Sequence, residues 1–225
     1  MMPLLTWLQL SGGTFPTGSF NHSYGLETYI QSNHIRTAEE VEQIVRTYLD
    51  LFRQTDLIFV NEAYEAAQRE DLEQIDRLQD IYTAMKLESE LVQASMKTGR
   101  SFLLAVKNLF TGEAPPLFRN IQAAQTSFHY AIGYGMAAAL LQLPKRETFV
   151  TYAYASASSL VSVATRLIPL GQNDAQAILF RLSLHIDQAY NGCGELSLRN
   201  INTFAPGLEI ASMEHEILYT RLCMS

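Results

Sequence analysis

The sequence has only two cysteines, Cys193 and Cys223, too few for a disulfide framework. No cluster of Lys and Arg occurs, and the formal net charge is −7. Both facts exclude an ordinary nucleic-acid binder, which needs a basic stripe to displace counterions from phosphates. No Pro/Ser-rich stretch suggests a linker, so the 225 residues, 48% of them hydrophobic, read as a single domain over 1–225 with one substantial core. The N-terminus lacks the basic start and cleavage site of a secretory signal, which makes the cytoplasm the expected compartment. No run alternates with period two, whereas helical spacing recurs throughout. An all-α, single-domain multi-helix bundle is the expected fold.

Formal charge is also missing from the eighteen residues between Thr148 and Thr165. Nine hydroxyl-bearing side chains in that stretch, among them Thr151, Tyr152 and Ser159, argue against a membrane span, which would be far more apolar. The stretch reads as a helix and runs into Arg166-Leu167-Ile168-Pro169-Leu170-Gly171-Gln172. Pro169 and Gly171 stop the helix and set a turn. The guanidinium of Arg166 needs an oriented acceptor, supplied either by an ion pair within the chain or by a partner.

The acidic excess is local. Between Ala38 and Arg100 there are 14 acidic and 7 basic side chains, while the remainder holds 9 of each. Such a block serves as a solvated face or meets a basic partner. Within it, Thr37-Ala38-Glu39-Glu40 forms a capping box, and Val41, Ile44, Val45, Tyr48, Phe52, Thr55 and Phe59 share a face, predicting a helix to about Val60. An acidic helix follows over about Asp71 to Met85. The next stripe, Leu87, Leu91, Ala94, Ser95, Thr98, Phe102, Ala105 and Leu109, is narrow at Ala94, Ser95 and Gly99, where another backbone is expected to approach.

Gly112 and Pro115-Pro116 end that segment. Ile121, Ala124, Phe128, Ala131, Ile132, Gly135 and Ala139 then predict one helix from about Arg119 to Gln142. Its glycines, Gly133 and Gly135, cost about 1 kcal/mol each and mark close packing. After Pro144 and the uncharged helix, Asn173 or Asp174 caps a helix with Ile178, Leu179, Leu182, Ile186 and Ala189 inward, ended by Asn191-Gly192. Pro206-Gly207 introduces a tail near 208–225, whose Ile217, Leu218, Tyr219 and Leu222 need cover from this chain or from another protein.

Catalytic motifs are near misses. Gly13 to Ser19 has the glycine spacing of a phosphate-binding loop, but Ser19 stands where the lysine belongs and no hydrophobic strand precedes it. His215-Glu216 begins like a two-histidine zinc helix, yet Tyr219 replaces the second imidazole. His22, His34, His129 and His185 are isolated in sequence. A composite transition-metal site from Cys193, Cys223, His215 or Met224 is chemically conceivable, and no spacing compels it. Ser11, Ser19 and Ser23 lack a nucleophile elbow and an identifiable base. No catalytic residue, metal ligand set or cofactor is assigned.

Three patches remain: the loop and helix start with Phe15, Pro16, Phe20, Tyr24 and Glu27; the turn with Arg166, Pro169, Gly171 and Gln172; and the end with His215, Glu216, Tyr219, Arg221 and Leu222. In order and spacing these resemble the urease accessory protein F family, UreF. Leu8-Gln9-Leu10-Ser11 and Phe15 through Glu27 are similar to its opening. Glu90, Ala94, Ser95 and Gly99 fit its middle helix, and His129-Tyr130 with Gly133 and Gly135 fits the next. Arg166 through Gln172 resembles its internal signature. The chain departs from the pattern at Gly12-Gly13-Thr14 and at Cys223-Met224.

The resemblance implies an all-helical, non-enzymatic urease maturation factor. It would join UreD (also called UreH) and recruit the GTPase UreG so that nickel reaches apo-urease, with a homodimer in the complex. The three patches are then expected to bind partners. For Phe15, Pro16, Phe20 and Tyr24 a hydrophobic staple at a helix start is the competing reading. An alternative role is activation of the UreG GTPase through an arginine supplied in trans, with Arg166 as a candidate. An independent enzyme with a nucleotide at Gly13 to Ser19 is the remaining class.

Overall fold

In this computed structural model, which describes residues 2–110, 112–123, 127–190 and 196–225, the chain first forms α1 (Met2–Ser11), α2 (Leu26–Gln31), α3 (Ala38–Gln54), α4 (Asp56–Gln68), α5 (Leu72–Met85) and α6 (Ser89–Lys107). It continues through α7 (Pro116–Ala123), α8 (Tyr130–Leu140), α9 (Lys145–Leu167), α10 (Gln172–Tyr190) and α11 (Pro206–His215). Short 3₁₀ turns occupy Ser19–Asn21 and Leu198–Asn200. No strand occurs among the described residues, and the fold is all-α.

The core is organised around α8, whose residues from Tyr130 to Ala138 are all buried. Alanine and glycine make this possible, because a helix surrounded on every side must offer short side chains. A Cβ on Gly135 would lie 2.2 Å from the carbonyl oxygen of Val60 in α4, and one on Gly99 of α6 would lie 2.0 Å from that of Phe128. The narrow stripe on α6 therefore meets the entrance to α8 within this chain. Between these crossings, Phe102, Tyr130, Tyr134 and Tyr152 form an aromatic cluster, with Phe102 and Tyr134 stacked at 5.2 Å and Tyr134 and Tyr152 edge-on at 5.3 Å. One continuous hydrophobic cluster runs from Trp7 to Cys223.

The capping box forms as expected: Thr37 Oγ1 accepts from the Glu40 amide at 3.2 Å, and Glu40 Oε2 accepts from the Thr37 amide at 3.0 Å. The helix it starts does not reach Val60. Thr55 leaves helical geometry (φ −128°, ψ −89°), separating α3 from α4. Its hydroxyl donates to the Leu51 carbonyl at 2.9 Å, or to Asp56 Oδ2 at 2.8 Å. The break places Asp56 inside, where it accepts from the hydroxyls of Tyr82 and Tyr152. The apolar period passes through the break unchanged, and for that reason spacing alone missed it.

The expected helix from Arg119 to Gln142 is likewise two helices, α7 and α8; Ala124 lies outside the described residues. At the start of α8 the His129 amide donates to Gln79 Oε1 at 2.9 Å, and the Tyr130 amide donates to Ser95 Oγ at 3.3 Å. Side chains of α5 and α6 satisfy donors that a continuous helix would have bonded internally. α10 begins at Gln172, ahead of the expected cap at Asn173 or Asp174, and its end at Asn191-Gly192 lies outside the described residues. In α9 the hydroxyls of Thr148, Thr151 and Ser156 bond back to carbonyls one turn earlier. No described helix is long and apolar enough to cross a membrane.

Candidate partner-binding site

The three patches converge on the start of α2. Gly25, in the left-handed region (φ 85°), precedes this six-residue helix and brings Glu27 fully inside. A Cβ on Gly25 would lie 2.9 Å from the Ser212 amide nitrogen of α11, so the turn also admits the helix that leads into the tail. Glu27 Oε1 accepts from the Leu222 amide at 2.8 Å, and Oε2 accepts from the Cys223 amide at 2.9 Å. His215, also fully buried, lies between two carboxylates, with Nε2 3.2 Å from Glu27 and Nδ1 2.9 Å from Glu90. Arg221 donates to the other oxygen of Glu90 at 2.6 Å.

Further bonds complete this clamp. Gln31 Nε2 donates to the Thr220 carbonyl at 2.7 Å, and the Met224 amide donates to the Asn21 carbonyl at 2.7 Å. The Ser225 carbonyl accepts from the amides of Ser23 and Tyr24. His22 Nδ1 lies 2.9 Å from Ser225 Oγ. Burial opposes the charge on Glu27, yet the two tail amides and His215 outweigh it and hold its pKa below the ordinary glutamate value. Glu90 is held low against burial by His215 and Arg221. Burial, helped by Lys97, lowers His22 to about 4. The Cys223 thiol is pushed up to about 12 by burial and by the charge of Glu27, which makes it a poor thiolate ligand.

The tail thus divides its work between backbone and side chains. Its amides and carbonyls grip the body, while Ile217 and Leu222 are 84% and 63% exposed and Tyr219 is fully exposed. Leu218 is half-buried. Cover from this chain is given to Cys223 and Ser225, and α11 ends at His215, before these residues.

Arg166 differs from the expectation of a buried, ion-paired guanidinium. It is exposed, and its Nη2 donates to the Phe20 carbonyl; among the described residues no carboxylate lies within 4.0 Å of it. The last turn of α9 rides at the surface, so water and one backbone carbonyl satisfy the charge. This bond ties the Arg166 turn to the first patch. Pro169, Gly171 and Gln172 are exposed beside it.

The family model for UreF matches residues 35–183. The chain belongs to the UreF family. It is 35% identical to the urease accessory protein UreF of Sporosarcina pasteurii, over 89% of this chain and all of that protein. The UreF protein of Lachnoclostridium phytofermentans is 33% identical over 99% of this chain and 98% of its own length. That of Bacillus sp. strain TB-90 is 32% identical over the full length of both.

Within this UreF chain the predicted site residues fall into two groups. Pro16, Phe20, Arg166, Pro169, Gly171, Gln172, Glu216, Tyr219, Arg221 and Leu222 lie at the surface. Phe15, Glu27 and His215 are inside: Phe15 packs 5.5 Å from the Phe102 ring, and the other two anchor the tail. Tyr24 is half-buried, and its carbonyl accepts from Tyr48 Oη. Glu216 accepts from Ser89 Oγ at 3.0 Å.

The Gly13 to Ser19 segment follows helix α1 rather than a strand. Of the composite metal set, Cys193 lies outside the described residues, and among the described residues no group of three or more His, Cys, Asp or Glu is arranged to hold a metal ion. Sequence reasoning missed Glu90 as an anchor and missed the outer face of α1, where Leu4, Leu5 and Leu8 are exposed while Trp7 and Leu10 turn inward. The i, i+1, i+4 spacing of those leucines, which puts them on one helical face, was the available signal.

Proposed function

We propose that this chain is a non-enzymatic urease maturation factor that bridges UreD (UreH) and the GTPase UreG, supporting nickel insertion into apo-urease. Membership of the UreF family and the resemblance of the three patches support this reading. The observation that carries it is the tail: Glu27 fastens its backbone at the Leu222 and Cys223 amides and Glu90 holds the side chains of His215 and Arg221, yet Ile217, Tyr219 and Leu222 face solvent. Holding an apolar segment in place while leaving its side chains uncovered favours docking, because the ordering entropy is already spent before the partner arrives. UreD is the expected partner of this surface. The Phe20–Arg166 surface is the expected point of UreG recruitment, in a complex containing two copies of the chain.

The test replaces Ile217, Tyr219 and Leu222 together by serine, leaving the clamp residues untouched. Co-purification with UreD should be lost while the circular dichroism of the isolated protein is unchanged. Full UreD capture by the triple variant would refute the docking role.

A further inference from the structure

Beside the α3–α4 break lies a cleft of about 70 Å³ lined by Tyr24, Tyr48, Phe52, Asp56 and Tyr82. Asp56 is only 6% exposed. Its Oδ1 accepts from Tyr82 Oη at 2.7 Å and Tyr152 Oη at 2.9 Å, and its Oδ2 lies 2.8 Å from Thr55 Oγ1. Among the described residues it takes part in no ion pair. Hydroxyls satisfy its lone pairs but leave its charge uncompensated, which is costly in a buried setting.

Glu88, itself buried, and Glu209 line the same cleft, where Lys86 is the one cationic side chain. Three carboxylates against one ammonium leave the lining formally negative. The Lys86 ammonium stands 5.0 Å from the centre of the Tyr82 ring, so a ring face of this cleft already receives an alkylammonium. The space fits that chemistry. At about 15 Å³ per water-sized group, it holds about five heavy atoms, the size of a lysine side chain from its Cβ to its ammonium. A divalent metal suits it poorly, because the Tyr82 and Tyr152 hydroxyls point their protons at the carboxylate. Burial foremost, and then the charge of Asp56, keeps both phenols protonated.

We propose that this cleft binds a primary alkylammonium group, with the ammonium at Asp56 and the methylenes along Tyr24, Phe52 and Tyr82. The group could arrive as a free amine or as a lysine side chain of another protein. The cleft is not lined by the exposed tail residues Ile217, Tyr219 and Leu222, and the proposal does not rest on the role assigned to them.

The full-length protein is titrated at low ionic strength with n-butylammonium, N-acetyl-lysine N-methylamide, n-butanol and nickel chloride, following amide NMR shifts of residues lining the cleft. n-Butylammonium should bind about tenfold more tightly than n-butanol, and Asp56→Asn should remove that preference. Lys86→Met removes the resident competitor and should tighten n-butylammonium binding about threefold or more, a gain that a merely destabilised fold cannot produce. Binding of the capped lysine points to a protein source, and binding of the free amine alone points to a small-molecule source. Equal affinity for n-butanol and n-butylammonium, no gain in Lys86→Met, or shifts with nickel alone would overturn the proposal.

Discussion

His215 Nε2 lies 3.2 Å from Glu27 Oε2 with both side chains wholly buried, joining two residues separated by most of the chain. Through this contact the start of α2 becomes the anchor of the C-terminal tail.

Glu27→Gln should loosen the tail without unfolding the body. A glutamine accepts through one oxygen only and turns its amide donor toward either a tail N–H or His215. The expected loss is about 2–3 kcal/mol, the cost of unpairing buried polar groups. Hydrogen exchange of the Leu222 and Cys223 amides should accelerate while that of α8 holds. Unchanged exchange in the tail would show that Glu27 is not the anchor.

Acid should release the same segment. Glu27 and Glu90 have folded pKa values below the ordinary 4.5, so their stabilisation is complete above that value and is lost as pH falls through the depressed ones. His22, lowered from 6.5 to about 4, acts in the same direction: the unfolded chain takes up its proton first, so stability falls between those values. Tail protection measured by limited proteolysis should therefore decline from pH 6.5 downward and drop further below 4.5. Protection that rises on acidification would contradict the assignment.

Gly135→Ala should be severely destabilising despite adding one methyl, because the new Cβ would stand 2.2 Å from the Val60 carbonyl oxygen. Forcing α4 and α8 apart costs about 3 kcal/mol or more. Gly133→Ala, whose Cβ would meet only the Leu103 side chain at 3.4 Å, should be far milder. Equal melting temperatures for the two variants would count against the crossing described.

Arg166→Ala should cost at most about 1 kcal/mol, the worth of one exposed hydrogen bond, while reducing retention of UreG. Melting temperature and UreG pull-down are measured on the same preparation. Normal retention with lowered stability would reduce Arg166 to a tie between α9 and the Phe20 loop.

Much of the helical plan was legible in the residues. The capping box at Thr37, the stripe from Val41 to Phe52, the uncharged helix ending near Arg166 and the inward set of α10 are all local consequences of spacing and end chemistry, which a linear pattern encodes. The breaks at Thr55 and before His129 were not legible. Each is held by partners remote in sequence, Tyr82 and Tyr152 for the first and Gln79 and Ser95 for the second, and a periodic apolar face reads the same on either side.

The candidate site divides along the same line. Order and spacing alone singled out the loop before Glu27, the turn after Arg166 and the apolar tail as unusual. Only the tertiary structure decided that the tail lies against the start of α2, that Glu27 and His215 face inward to hold it, and that Arg166 bonds a carbonyl instead of an acid. Helix formation depends on neighbours one turn away, whereas a buried hydrogen-bond network joins groups about 190 residues apart whose meeting depends on how all the helices pack.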